Sequence, residues 1–465
     1  MILRHDVVRK DFLREIENKK IFCYGAGQVF NDFLQVYDML DITAVVDKNL
    51  NRQGTNIAST EISIISQEEF VNLSDENTVL IITCFDYQQI EKELNTYDRL
   101  KNLPCYVYSI MQGKFGTNYD GIISGKYQIT EFKMQDYNAG QKAPADVAVT
   151  VAENGYKILS LNRGTQRFGQ TQTKLEWERI VELIPFNATL IVQLPFVDIS
   201  DGVNQLFGLK EKKHVGIIAI VHDIDILRGE NGEYQNKQYN ILRNLPDVWI
   251  VHNNYMINEL CQRGFERDRM VNLEIFDYLI EDYQSVKYGD GIIIAGNLDK
   301  KKSGYVYKLN QVSNVQFNLF GANYTSKLCA YNIFYFGAFL PNDLIQNLQG
   351  KYGLVWDGDT IETCSGGKGE YLRINNPHKL SLYLAIGLPV IIWDEAAEAD
   401  FVLKEHVGIT VKSLYELSDK LSKVSDSDYE NMKHNAQIVG ARLRNGEYMT
   451  KAIKKAEEKI QEMRK

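Results

Sequence analysis

Short apolar runs recur along this chain, each followed by a turn and a longer segment with apolar positions at helical spacing. Runs at 20–24, 42–46, 78–83 and 105–110 form a first set, and the turn Gly25-Ala26-Gly27 leads into a predicted helix over 29–40. A second set has predicted strands at 128–134, 157–161, 189–193, 215–221, 248–251 and 270–275. A third has them at 292–295, 316–320, 333–336, 352–356, 389–393 and 408–411. Runs without alternation suit strands covered on both faces. Alternation of such strands with helices makes parallel sheets. The stretch 113–126, rich in Gly, Tyr and Asn and without periodicity, reads as a linker. The pattern therefore predicts an α/β chain in three parts, 1–112, 127–287 and 288–465, closed by a charged helix over 450–465.

In such folds ligands sit at the C-terminal ends of the strands. Three stretches fall there. Gly296-Asn297, followed by Lys300-Lys301-Lys302-Ser303-Gly304, is a small polar loop before a helix and suits a phosphate. Asn375-Asn376-Pro377-His378-Lys379, with Ser381, opens a short predicted helix, where free amides and the helix dipole favour an anion. His222-Asp223-Ile224-Asp225 follows the apolar strand 215–221 and offers a general base, or an Asp-x-Asp for a metal-bound diphosphate. The same letters also fit a solvated lysine run, an ordinary helix-strand unit, and a helix cap beside a buried histidine. In the first set, Asp47 stands about twenty positions after Gly25-x-Gly27, as in a dinucleotide fingerprint, but Phe30 occupies the third glycine's place.

Composition narrows the classes. The chain is 44% hydrophobic and 24% charged, with Lys+Arg 52 against Asp+Glu 61 and a net charge of -9, which argues against nucleic-acid binding. No run approaches the roughly 18 apolar residues of a membrane span, and the N-terminus lacks a signal-peptide core. Six scattered cysteines read as small buried hydrophobes in a reducing cytoplasm. Seven histidines without ligand spacing point to no metal. Neither a GxSxG elbow nor a Walker A loop is present.

Further pieces join these stretches: Asn138-Ala139-Gly140-x-Lys142, Gln193-Leu194-Pro195, Arg228 three residues after Asp225, Phe276-Asp277-Tyr278-Leu279, Tyr335-Phe336-Gly337, Trp356-Asp357-Gly358, Gly387-Leu388-Pro389 and Ala399-Asp400-Phe401. In this order, over about 128–447, the chain resembles bacterial GT-B glycosyltransferases of the β-1,6-galactofuranosyltransferase and serine-rich-adhesin glucosyltransferase type. The resemblance implies two facing Rossmann-like domains, here preceded by a small Rossmann-like domain outside the family core. It implies a UDP-sugar donor bound by Gly296, Asn297, Asn376, His378, Lys379, Ser381 and Asp400, with Asp400 on the ribose hydroxyls. Lys302 is a further diphosphate ligand by its charge. The acceptor, a lipid-linked or protein-linked glycan, would enter near Asn138, Lys142 and Arg228. Asp223 or His222 would be the base of an inverting, metal-independent transfer without a resident cofactor. Peripheral association with the inner membrane face and homo-oligomerisation are compatible with this reading. The incomplete glycine pattern does not establish NAD binding by residues 1–112. A nicotinamide-dependent sugar oxidoreductase and a non-catalytic nucleotide-sugar binder are the other readings.

Overall fold

A computed structural model describes residues 2–4, 15–27, 30, 33–34, 40–57, 60–84, 87–108, 125–132, 142–162, 177, 180–181, 184–196, 201–280, 283, 288–325, 330–339 and 341–464. Asn138, most of the linker 113–126, and most of the predicted helices 29–40 and 173–184 lie outside these residues. The chain divides into two compact units. One comprises 1–134, 157–185 and 200–202; the other comprises 135–156, 186–199 and 203–465.

In the first unit a parallel sheet is built from β1 (Ile2–Arg4), β2 (Lys20–Tyr24), β3 (Ile42–Val46), β4 (Ile64–Ile65), β5 (Thr78–Ile82) and β6 (Pro104–Val107), in the order β1-β6-β5-β2-β3-β4. Thr78–Ile82 is buried throughout, as its unalternating run predicts. Core residues cover both faces: Phe30, Phe33 and Tyr106 on one, Phe22, Phe70 and Leu80 on the other. The Gly25 turn follows β2 with Gly25 at φ +103°. Asp47, at the end of β3, reaches back to this turn. Its carboxylate accepts from Ala26 N at 3.1 Å and Asn49 N at 2.9 Å and pairs with Arg52, whose Nη2 donates to the Ala26 carbonyl at 2.8 Å. The same unit holds the parallel pair β7 (Lys126–Phe132) and β8 (Lys157–Asn162).

The second unit carries two parallel arrays. β9 (Thr189–Leu194), β10 (Gly216–Val221), β11 (Val248–Val251) and β12 (Met270–Asn272) pair in sequence. β13 (Tyr288–Ala295), β14 (Phe317–Phe320), β15 (Ile333–Gly337), β16 (Gly350–Val355), β17 (Val390–Trp393) and β18 (Gly408–Val411) run β15-β14-β13-β16-β17-β18. Strand order reverses between β13 and β16, which opens a crevice at their C-terminal ends. A single hydrophobic cluster extends from Val147 through both arrays to Ile460. The segment expected as an α-helix over 305–309 is instead a 3-10 stretch, Gly304–Gln311.

Two long helices end the chain, Asp426–Arg444 and Glu447–Met463. The first opens with a reciprocal Ser425/Asp428 capping box. The second packs against elements far earlier in the chain: Tyr156 Oη donates to Glu457, 301 positions on, at 2.7 Å, and Arg464 Nη2, just past the helix, donates to the Ala188 carbonyl, 276 positions back, at 2.7 Å. A Cβ at Gly216 would lie 2.8 Å from the Ile460 side chain. Among the described residues no helix is long and apolar enough to cross a membrane.

Candidate functional site

The crevice gathers positive charge. Lys379, in the first turn of helix His378–Ala385, donates from Nζ to the Trp356 carbonyl at 2.9 Å and to Asp357 Oδ1 at 2.8 Å, both just after β16. An ammonium has three donors, so this geometry holds Lys379 in place with one donor to spare. Lys302 comes from the loop after β13. Crowding lowers its pKa, chiefly by loss of water around the ammonium; Asp357 opposes this and Lys379, Lys368 and Arg228 add to it. Lys379, Lys368 and Arg228 thus act as a group of cations on Lys302, and Lys379 and Lys302 are both drawn to Asp357. Such a group gains from an anion, and most from a doubly charged one. Lys368 and Asp357 were not singled out from sequence as site residues. Lys368 lies in Gly366–Tyr371, a glycine-rich helix that reads as a turn.

Backbone shape beside the cluster comes from glycine. Gly296, at φ +144°, ends β13, and nothing lies where its Cβ would be. Gly321 ends β14, where a Cβ would overlap the Gly296 carbonyl oxygen. Asn297 is exposed; its Oδ1 accepts from Asp299 N at 3.0 Å and from Asn323 Nδ2 at 3.1 Å.

Facing these, the end of β10 carries His222 and Asp223. The two candidate bases have different partners. Neighbours along an extended chain point to opposite sides. His222 Nε2 meets Gln193 Oε1 at 2.7 Å, and the ring stacks on Phe276 at 5.4 Å. Burial lowers the His222 pKa to about 4, so it is neutral at pH 7. Asp223 bonds to Arg228 Nη2, and Arg228 Nη1 reaches Asp225 Oδ1 at 3.5 Å. The Asp-x-Asp therefore holds a guanidinium between its carboxylates. Burial raises the Asp223 pKa, against the opposing pull of Arg228.

Other expected ligands are placed differently. Asn376 is 5% exposed and locks the two arrays together. Its amide N–H donates to His252 Nδ1 at 2.8 Å, and its Nδ2 donates to the carbonyls of His252 at 2.7 Å and Glu274 at 3.0 Å. Its Oδ1 accepts from Asn253 Nδ2 at 2.6 Å. His378 lies between Tyr278 and Phe276, 5.0 and 6.4 Å between ring centres, and burial lowers its pKa to about 3. Its Nε2 and the Ser381 hydroxyl are buried without a hydrogen-bond partner among the described residues. Within helix His378–Ala385, then, it is Lys379 that joins the cation group. Asp400 is exposed, accepts from Tyr255 Oη at 2.7 Å and stands beside Glu398, a group apart from the lysines in its partners. Lys142 bonds to Asp146 and to the Leu279 carbonyl at 2.7 Å, with Tyr278 4.8 Å beneath it.

The glucosyltransferase 3-like N-terminal domain model matches residues 126–275, and the corresponding C-terminal domain model matches 292–456. A β-1,6-galactofuranosyltransferase of Escherichia coli (strain K12) is 37% identical over 239 residues, covering 50% of this chain and 68% of that protein. Glucosyltransferase 3 of Streptococcus parasanguinis is 23% identical over 321 residues, covering 66% of this chain and 89% of its own length. Among solved structures, an Anabaena protein crystallised with UDP and glucose superposes with a TM-score of 0.46 at 9% identity, covering 70% of this chain and 98% of that one.

Proposed function

The chain belongs to the glucosyltransferase 3-like family of glycosyltransferases, and from that premise we propose that it moves a hexose from a UDP-sugar to a glycan hydroxyl, with inversion and without a metal. The observation that carries this reading is Lys379 held by the Trp356 carbonyl and Asp357 at the end of β16, with Lys302 drawn to the same carboxylate and further cations acting on Lys302. A departing nucleoside diphosphate develops negative charge where these cations stand. Lys302 and Lys379 hold the diphosphate, and the open backbone at Gly296 and Asn297 lets it approach. The guanidinium between Asp223 and Asp225 supports charge neutralisation by side chains rather than by a bound cation.

Transfer is a single in-line displacement. The acceptor oxygen bonds to the anomeric carbon as the bond to the diphosphate breaks, and UDP leaves with the electron pair. The acceptor proton goes to Asp223, whose raised pKa suits a base better than the neutral His222 engaged by Gln193. The hexose is galactofuranose, glucose or a similar sugar, on the names of the relatives, and the β-linkage in the name of the E. coli protein supports inversion from an α-linked donor. The acceptor is a lipid-linked or protein-linked glycan of a surface polysaccharide or glycoprotein.

Thermal unfolding with and without UDP tests this. UDP at a hundredfold excess over its Kd adds about 2.7 kcal/mol and raises the melting temperature measurably. Lys379→Ala and Lys302→Ala each weaken binding by at least about tenfold, the scale of one charge-assisted contact. Asp223→Asn keeps UDP binding and loses transfer. No UDP stabilisation of the parent, or full activity in Asp223→Asn, refutes the corresponding part.

A further inference from the structure

Tyr371 ends the glycine-rich helix Gly366–Tyr371 on the donor side and is 2% exposed. Its hydroxyl accepts a hydrogen bond at 3.0 Å from the amide of Ile224, the residue after Asp223. Ile224 is 4% exposed, so without Tyr371 this amide would be a buried donor lacking its partner. The Tyr371 ring also lies 4.8 Å from the Arg228 guanidinium, which in turn holds Asp223 and Asp225. Four residues earlier in the same helix, Gly367 packs so closely that a Cβ would overlap the Arg228 carbonyl oxygen. The short 3-10 turn Asp225–Arg228 is thus gripped at its start, its side-chain tip and its end by one glycine-rich segment from across the crevice.

We propose that Tyr371 is a positioning residue for the transfer: its hydroxyl and ring fix the Asp223–Arg228 turn against the donor-side helix and so set the aim of the Asp223 carboxylate. The proposal rests on Asp223 acting as the base. The two functions of the side chain separate chemically. Tyr371→Phe removes the hydrogen bond to Ile224 and keeps the ring under Arg228. Tyr371→Leu removes both.

Steady-state kinetics with a UDP-hexose, and hydrogen–deuterium exchange of the peptide 222–229, test it in the full-length protein. Tyr371→Phe should lower kcat about tenfold, the scale of one orienting hydrogen bond, with KM for the donor within about twofold of the parent. Amide exchange should rise in 222–229 and stay unchanged elsewhere. Asp223 faces Arg228, Asp225, Lys302 and Tyr371. Of these, Arg228 is the one the ring supports, so in Tyr371→Leu the acid limb of the kcat profile moves to higher pH, whereas in Tyr371→Phe it stays. Parental kcat and parental exchange in both variants overturn the proposal. So does a loss of kcat matched by an equal loss of UDP stabilisation, since that places Tyr371 in donor binding. If the parent transfers no hexose at all, the functional reading fails, and the exchange measurement alone decides whether Tyr371 holds the turn.

Discussion

Asp277 is 5% exposed, and both its carboxylate oxygens face the amides that open the last helix, accepting from Met449 N at 2.7 Å and Tyr448 N at 3.3 Å. Gly446, at the N-cap, has no side chain to do this. Burial raises the Asp277 pKa to about 7, opposed by those two amides. A group whose folded pKa is raised stabilises the fold fully below its unfolded value and loses that contribution as pH rises through the folded one. The parent's advantage over Asp277→Asn should therefore shrink by roughly 1.4 kcal/mol per pH unit between about pH 4 and 7. Urea midpoints of both proteins across that range measure it, and a constant difference contradicts the account. The sequence displays Asp277 inside Phe276-Asp277-Tyr278-Leu279 but conceals its use, because its partners are 171 and 172 positions away. The places of Asp223 after a strand and Lys379 in a helix's first turn were legible because strand ends and helix starts advertise themselves locally. The true partner of His222 was not: Gln193 lies 29 positions back, on the neighbouring strand β9.

Between elements, the segment leading into helix His378–Ala385 acts as a bolt. Asn376 uses its backbone N–H, its Nδ2 and its Oδ1 on the ends of β11 and β12 and the residues that follow them. Burial keeps His252 neutral, lowering its pKa to about 3, which preserves Nδ1 as the acceptor. Asn376→Ala leaves the Asn253 amide and the carbonyls of His252 and Glu274 short of partners, and should destabilise the protein by about 2–4 kcal/mol. The urea midpoint should fall with the m-value unchanged; a loss below about 0.5 kcal/mol would make the bolt incidental. Most strands stand where continuous apolar runs predict them. Among the elements that went unread, two show the physical reasons. β1 has only 3 residues and gains its identity from pairing with β6. Helix Asp426–Arg444 buries Ala436 and Gly440 among its few core positions, so its inward face scarcely registers as apolar.

At the scale of the whole chain, the described core falls into separate parts. The two clusters flanking the first sheet draw their buried members from residues 16–108, while the large cluster draws its own from 147–460. The family match also begins at 126. Full-length protein should therefore unfold in two calorimetric transitions, with UDP raising one of them. A chain beginning at Gly125 should keep that ligand-sensitive transition; its loss would tie the first sheet to donor binding. A net charge of -9 coexists with cations acting on one another around Lys302, which overall composition could not reveal. UDP binding should weaken with added salt, since these side chains are only partly shielded from solvent. The crossing of helix Glu447–Met463 to Tyr156, Ala188 and Gly216 bears on how the protein is made. A ribosome delivers β9 to β12 long before it delivers the helix that covers them. Until helix Glu447–Met463 has been made, that array waits with an apolar seam open, dependent on chaperones or on its own slowness to aggregate. Chains lacking helix Glu447–Met463 would then be fit for proteolysis rather than weakened enzymes.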